Sequence, residues 1–413
     1  MERSELRKSQ LLLACDNMSC MEERKIGEQI RALRQQLGMQ SKELAEKVNL
    51  DPSAISLIES GKREVKIVEL VKIANIFGKS PLAILEPDSL VARLPVAARS
   101  EDDSPSADMR SRLTALAELH DLLTSEGIPV SAASSQPPDI AELDWLKASR
   151  HLAVWARSRL ELPDNGEKFD ALVNAIEDCL GIDVLVEPYD AGTLGTAITD
   201  AEFPFILINS EQPRNRALFT LAHELGHVIS RDGQTMTVHQ SLTGVNSDER
   251  RANAFAAEFL MPQDEIKLMV EASDSSPQSF GEMMRHFFVS WESLVYRMHN
   301  LGFINSGGRD LLRGISFAGL LQDIGDQELV RQLLHQRMFL EVRAPKLLTA
   351  RLLSGYRRGV VSVRPLAGLL HCDPDELLEQ LTSENVQKDI TAALTLLPRF
   401  SDSSEVAYAG EAI

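Results

Sequence analysis

The stretch Phe219-Thr220-Leu221-Ala222-His223-Glu224-Leu225-Gly226-His227-Val228-Ile229 decides how the rest of this 413-residue chain is read. His223 and His227 are four residues apart, so on an α-helix their imidazoles stack on one face and can grip one metal ion. Glu224 sits beside the first of them, placed to take a proton from water at the metal rather than to bind the metal itself. Leu218, Leu221, Ala222, Leu225, Val228 and Ile229 recur at helical spacing and predict that the helix buries its other face in a core.

A catalytic zinc is held by three protein ligands and keeps one position open. The third ligand should come from a second helix, and residues 246–262 offer one. Asn246 or Ser247 is its N-cap candidate and Pro262 its end, with Ala252, Phe255, Ala256 and Phe259 as the apolar stripe. Glu249 and Asn253 are again four apart, on a neighbouring face near the first turn. The two segments, F-T-L-A-H-E-L-G-H and E-R-R-A-N-A-F-A-A-E-F-L-M-P, resemble the ImmA/IrrE family of zinc metallo-endopeptidases. The resemblance covers about residues 145–305 and includes the helical pair near 287–304. It implies His223, His227 and Glu249 as ligands of Zn2+ and Glu224 as general base, with Asp248 and Glu258 the next candidates for third ligand. The plain alternative is two amphipathic helices with incidental histidines.

A formal net charge of −18 argues against nucleic-acid binding over the whole surface, but the charge is uneven. Residues 25–86 are +2 and the remainder −20, the distribution expected of one basic reader on an acidic chain. That segment reads as five short helices: Ile26–Leu37, Ser41–Val48 capped by Ser41, Pro52–Glu59 capped by Asp51, Ile67–Phe77 and Pro81–Leu85. Leu44-Ala45, followed by Ile55-Ser56-Leu57-Ile58-Glu59-Ser60-Gly61-Lys62-Arg63, resembles the helix-turn-helix of the Cro/phage-repressor (XRE) family. The resemblance implies that Pro52, Ser53, Ala54, Ser56 and Leu57 face the bases of double-stranded DNA and that Lys62, Arg63 and Lys66 meet phosphate. It also implies a buried ion pair between Arg34 and Glu59. Ser41 stands where the family opens its second helix with Gln, and the reading face has no Arg, Asn or Gln for bidentate base contacts. A helix-turn-helix used only for protein contacts is the alternative.

Residues 87–144 read as a Ser/Pro-broken linker around an amphipathic helix, Met109–Thr124, able to pair with a copy of itself or with the peptidase body. Helices are expected at Trp145–Leu160 and Phe169–Leu180. Strands follow at Ile182–Val186 and Phe205–Asn209, and Thr196–Ile198 forms a hairpin with the latter. Arg231 and His239 lie near enough in sequence to steady an oxyanion, or are plain surface residues. From 306 to 400 the pattern is helical: Asp310–Asp323, Gln327–Val342, Pro345–Arg357, Pro365–His371, Pro374–Leu381 and Val386–Leu397. Residues 361–377 echo a second helix-turn-helix without its Glu-x-Gly-Lys tail, and 401–413 are polar and small.

The fold class expected is multidomain and mainly α. It has an all-α helix-turn-helix (25–86), the linker (87–144), a central α+β zincin-like peptidase domain with a small sheet (145–305) and an all-α C-terminal domain (306–400). No run of 18 apolar residues is found and no secretory leader is expected; the four cysteines Cys15, Cys20, Cys179 and Cys372 are scattered, as expected in a reducing cytoplasm. No membrane contact is expected. Two functional classes fit. One is a DNA-binding regulator that is also a zinc endopeptidase, with a protein substrate such as an XRE-type repressor or the chain itself, and with room for a homodimer. The other is a transcription factor whose zincin-like domain senses a ligand or metal without cleaving. Glu224 separates them, because a pure sensor does not need a base. A toxin–antitoxin-like module is a third, weaker reading.

Overall fold

The computed structural model describes residues 25–77, 81–85, 90, 105–129, 136–160, 168–190, 192–231, 236–239 and 247–382. Expectations for Cys15, Cys20, Val386–Leu397 and the polar end 401–413 lie outside the described residues, as do 91–104 and 130–135 of the linker.

At the N-terminus α1 (25–36), α2 (Ser41–Val48), α3 (Pro52–Glu59), α4 (Ile67–Phe77) and α5 (Pro81–Leu85) enclose their own core of Ile30, Leu44, Ile55, Ile73 and Phe77. Gln40, not Ser41, is the N-cap residue of α2; Ser41 is already inside the helix and caps nothing. Asn49 ends α2 in the left-handed region, and Asp51 with Pro52 opens α3. A Cβ on Gly27 would lie 2.1 Å from the Ile58 carbonyl oxygen, so the crossing of α1 on α3 requires glycine there.

In the central region α6 (Pro105–Ser125), α7 (Trp145–Arg157) and α8 (Lys168–Ala175) precede the sheet. Helix α8 runs into a wider turn, Ile176–Leu180, which Gly181 ends at φ 67°. The strands are β1 (Asp183–Glu187), β2 (Gly195–Ile198), β3 (Phe205–Asn209) and β4 (Met236–His239), in the order β1-β3-β2-β4. β3 runs parallel to β1 and antiparallel to β2, and β2 is antiparallel to β4. The hairpin of β2 with β3 follows the sequence expectation; β4 was not anticipated.

Every residue of β1, β2 and β3 is buried, because helices cover both faces of the sheet. Side-chain alternation sends Val184, Val186, Ala197, Ile206 and Ile208 to one core and Leu185, Ile198, Phe205 and Leu207 to the other. The first core is shared with α9 (Arg214–Ser230), α10 (Ser247–Leu260), α12 (Pro277–Phe287), α13 (Trp291–Asn300), α15 (Phe317–Gln322) and α16 (Gln327–His335). Between them in sequence lie α11 (Gln263–Ala272) and α14 (Ser306–Arg313). Met109, Leu113, Leu116 and Leu123 of α6 belong to the second core, with α17 (Lys346–Arg357), α18 (Val363–Leu370) and α19 (Pro374–Thr382). The helix expected in the linker therefore packs on the body rather than standing alone.

Polar contacts reinforce this layer. Arg112 of α6 binds Glu187 at 2.6 Å, and Arg351 of α17 donates to His120 Nδ1, Thr124 Oγ1 and the Ile128 carbonyl. The helix expected at 310–323 is broken at Gly314-Ile315-Ser316, where Ser316 caps α15. The one expected at 327–342 stops at His335, after which the backbone pairs with Pro213 and Val186.

Candidate metal centre

α9 begins after Pro213 and ends at Arg231, which is left-handed at φ 51°. Its apolar positions face both the sheet and α10, so His223, Glu224 and His227 are fully buried. α10 crosses close to the motif. A Cβ at Gly226 would stand 3.0 Å from Phe255 Cδ1 and 3.2 Å from Ala252 Cα, so the glycine inside the motif lets the two helices approach.

That approach brings Glu249 to the two imidazoles. His223 Nε2 lies 3.2 Å from His227 Nε2 and 3.5 Å from Glu249 Oε2, and His227 Nε2 lies 3.4 Å from Glu249 Oε1. A tetrahedral ion with bonds of about 2.0–2.2 Å separates its ligands by about 3.3–3.6 Å, so two imidazole nitrogens and a carboxylate close to these spacings fit zinc. Among the described residues these three are the set able to hold a metal. The alternative carboxylates are engaged elsewhere: Asp248 with Arg251 at 3.0 Å and Glu258 with Arg297 at 2.5 Å.

Asn253, one turn beyond Glu249, places Oδ1 3.1 Å from His223 Nδ1. With Nδ1–H donating to that oxygen, Nε2 keeps its lone pair for a metal. The four-residue spacing from Glu249 was the only signal for Asn253, and it did not reveal this role. β4 is the terminal strand of the sheet, with His239 opposite Gly195. The His239 side chain lies outside the described residues, and Arg231 is exposed. Among the described residues, Arg231 makes no side-chain contact with the three ligands.

At the N-terminus, Arg34 Nε and Nη2 donate to the two oxygens of Glu59 at 2.6 and 3.0 Å, and Nη1 donates to the Met39 carbonyl. The expected buried pair is present. Pro52, Ser53, Ser56 and Leu57 are exposed along α3, while Ser41 and Ala54 are half-buried. Lys62 and Lys66 are exposed as well. Arg63 binds Glu69 at 2.7 Å. Burial pushes the Glu69 carboxyl up, but the Lys66 N–H and Arg63 outweigh it and hold the group below its ordinary range.

Comparison with known proteins agrees with both regions. Residues 177–299 match the family model described as the IrrE N-terminal-like domain, a peptidase family, and residues 30–84 match the helix-turn-helix model. The radiation response metalloprotease IrrE of Deinococcus radiodurans is 34% identical over 104 residues, which cover 24% of this chain and 32% of that protein. The chain thus spans about a third of the length of that curated relative. It joins an XRE-type helix-turn-helix domain to an IrrE/ImmA-like metallopeptidase domain. No helix among the described residues is long and apolar enough to cross a membrane.

Proposed function

We propose that the chain is a DNA-binding regulator whose central domain is a zinc-dependent endopeptidase, acting on a protein such as an XRE-type repressor or on itself. The observation that carries this is the convergence of His223, His227 and Glu249 at tetrahedral spacing, with Glu224 buried on the same helix. Zinc held there would polarise a scissile carbonyl and acidify water. Glu224 takes the proton of the attacking water and passes it to the leaving amine. Asn253 keeps His223 in the tautomer that binds metal. β4, at the end of the sheet, offers an edge on which an extended substrate backbone can lie. At the other end of the chain, the exposed face of α3 enters the major groove and Lys62 and Lys66 meet phosphate.

The reading is tested with purified wild type and Glu224→Gln. Each should hold about one zinc per protomer, and only wild type should cleave XRE-type repressors. His223→Ala and Glu249→Ala should lose most of the metal. Zinc retained in full by Glu249→Ala would assign the third ligand elsewhere. Cleavage by Glu224→Gln at the wild-type rate would remove Glu224 from the chemistry. Metal and DNA binding without cleavage by wild type would favour the sensor reading.

A further inference from the structure

Beside the metal-binding helices lies a cavity of about 1360 Å³ between α7, the first turns of α9, α10, α13 and the chain around Arg313 and Arg337. Its walls do not resemble the rest of the molecule. The whole chain has 43 Lys and Arg against 61 Asp and Glu, yet this cavity is lined by six arginines and one acid, Glu292. Five aromatic rings share the lining: Trp145, Phe219, Trp291, Tyr296 and Phe317.

Some of that charge has a structural use. Arg297 is held by Glu258 and the Met261 carbonyl. Arg313 stands 5.0 Å over the Tyr296 ring and faces Glu292 at 3.5 Å. Arg337 stands 4.7 Å over the Phe317 ring and Arg150 binds Gln263. Arg216 and Arg250, from α9 and α10 on the metal-site flank, have no carboxylate partner among the described residues. A planar guanidinium fork beside aromatic faces suits a ligand that brings its own anion and its own ring.

We propose that this cavity binds a small organic anion in which a phosphate- or carboxylate-type group is joined to an aromatic ring. The ring lies among the aromatic side chains, and the anion is received by Arg216 and Arg250. The volume accommodates a ligand of nucleotide size with water. Asn253 lines the same cavity and contacts His223, so the ligand sits within one residue of the metal centre. Such binding does not require peptide hydrolysis at the neighbouring site.

The test uses the full chain and two fluorescent probes of one shape, anilinonaphthalene sulfonate and uncharged N-phenylnaphthylamine. The sulfonate should bind one saturable site about tenfold more tightly than the neutral probe, as a charge-assisted contact requires. Arg216→Gln with Arg250→Gln should erase that gap, while Arg331→Gln on the remote surface should not. Arg250→Lys, which keeps the charge, should retain part of it; circular dichroism and melting temperature confirm that each variant is folded. Equal binding of the two probes by wild type, or a gap that survives in the folded double variant, overturns the proposal. Competition separates the occupants. AMP displacing the sulfonate better than a glutamate-rich peptide supports a small ligand; the reverse order assigns the cavity to a protein segment and overturns it.

Discussion

The His223 ring is held at both nitrogens, by Asn253 at Nδ1 and by the ligand cluster at Nε2. Replacing Asn253 with Ala removes the acceptor that fixes the tautomer, and zinc affinity should fall about 10- to 100-fold. Asn253→Asp offers a carboxylate oxygen at the same place and should keep most of the affinity. Competition with a chelating dye measures both, and an alanine variant as tight as wild type would deny Asn253 this role. The Arg34–Glu59 pair is a different case, since its value is structural. Both side chains are about one-tenth exposed and bonded through two oxygens, so Glu59→Gln leaves a buried guanidinium underpaired. Urea unfolding of the 25–85 fragment should show a loss of about 3–5 kcal/mol. The spacing of the two histidines points to a shared metal, whereas the Arg34–Glu59 pair and Glu249 are implied only by resemblance to known families. The Arg63–Glu69 contact could not be read from the sequence, because it depends on how the turn after α3 folds back.

Helices were legible where apolar residues recur at the helical period, as in α2 to α5, and less so where a polar turn interrupts such a pattern, as at Gly314. β4 escaped notice because its four residues carry no long alternating run. The turn joining α18 to α19 repeats that between α2 and α3. His371, like Asn49, is left-handed, and Asp373-Pro374 stands where Asp51-Pro52 does. Yet the first turn of α19 carries Asp375 and Glu376, and α18 packs into the second core, which suits a protein contact and not phosphate.

Another link between elements is a pair of buried carboxylates at the start of α17. Asp183 accepts from the Leu347 and Leu348 N–H groups, and Glu177 from that of Lys346. Burial pushes the Asp183 carboxyl up to about 7, with the Glu177 carboxylate adding to the rise and the two N–H donors opposing it. A raised value means that the folded chain holds a proton the unfolded chain releases. Its contribution to stability is therefore full below about pH 4, falls as the pH rises towards 7 and is gone above it. Asp183→Asn should flatten that fall. Urea midpoints at pH 5 and pH 7.5 check it, and an unchanged pH dependence in the variant would remove Asp183 as the cause. A shorter test concerns α1 on α3: Gly27→Ala sets a Cβ against the Ile58 carbonyl and should abolish DNA binding by displacing α3. Gel-shift affinity equal to wild type would show that the crossing yields.

The sheet carries the candidate metal centre on one face and needs the C-terminal helices on the other. Leu185, Ile198, Phe205 and Leu207 are buried against α6, α17 and α18, far along the chain in both directions. Each such side chain, left in water, forfeits about 1.5–3 kcal/mol, so together they approach the roughly 5–15 kcal/mol that keeps a domain folded. The same cut would remove the N–H groups of Lys346, Leu347 and Leu348 and the guanidinium of Arg343 from Asp183 and Glu177, and with them the polar contacts that tie α17 to the sheet. A fragment of residues 145–305, the span suggested by motif resemblance alone, should therefore aggregate or bind hydrophobic dyes. One of residues 105–382 should unfold in a single cooperative transition. The sequence could not announce this, because a motif marks where chemistry sits and not what covers the opposite face of its sheet. Expression of both fragments, followed by urea unfolding monitored by tryptophan fluorescence, decides the matter. If 145–305 were soluble and cooperative on its own, the outer layer would be an accessory to the peptidase and not part of its fold.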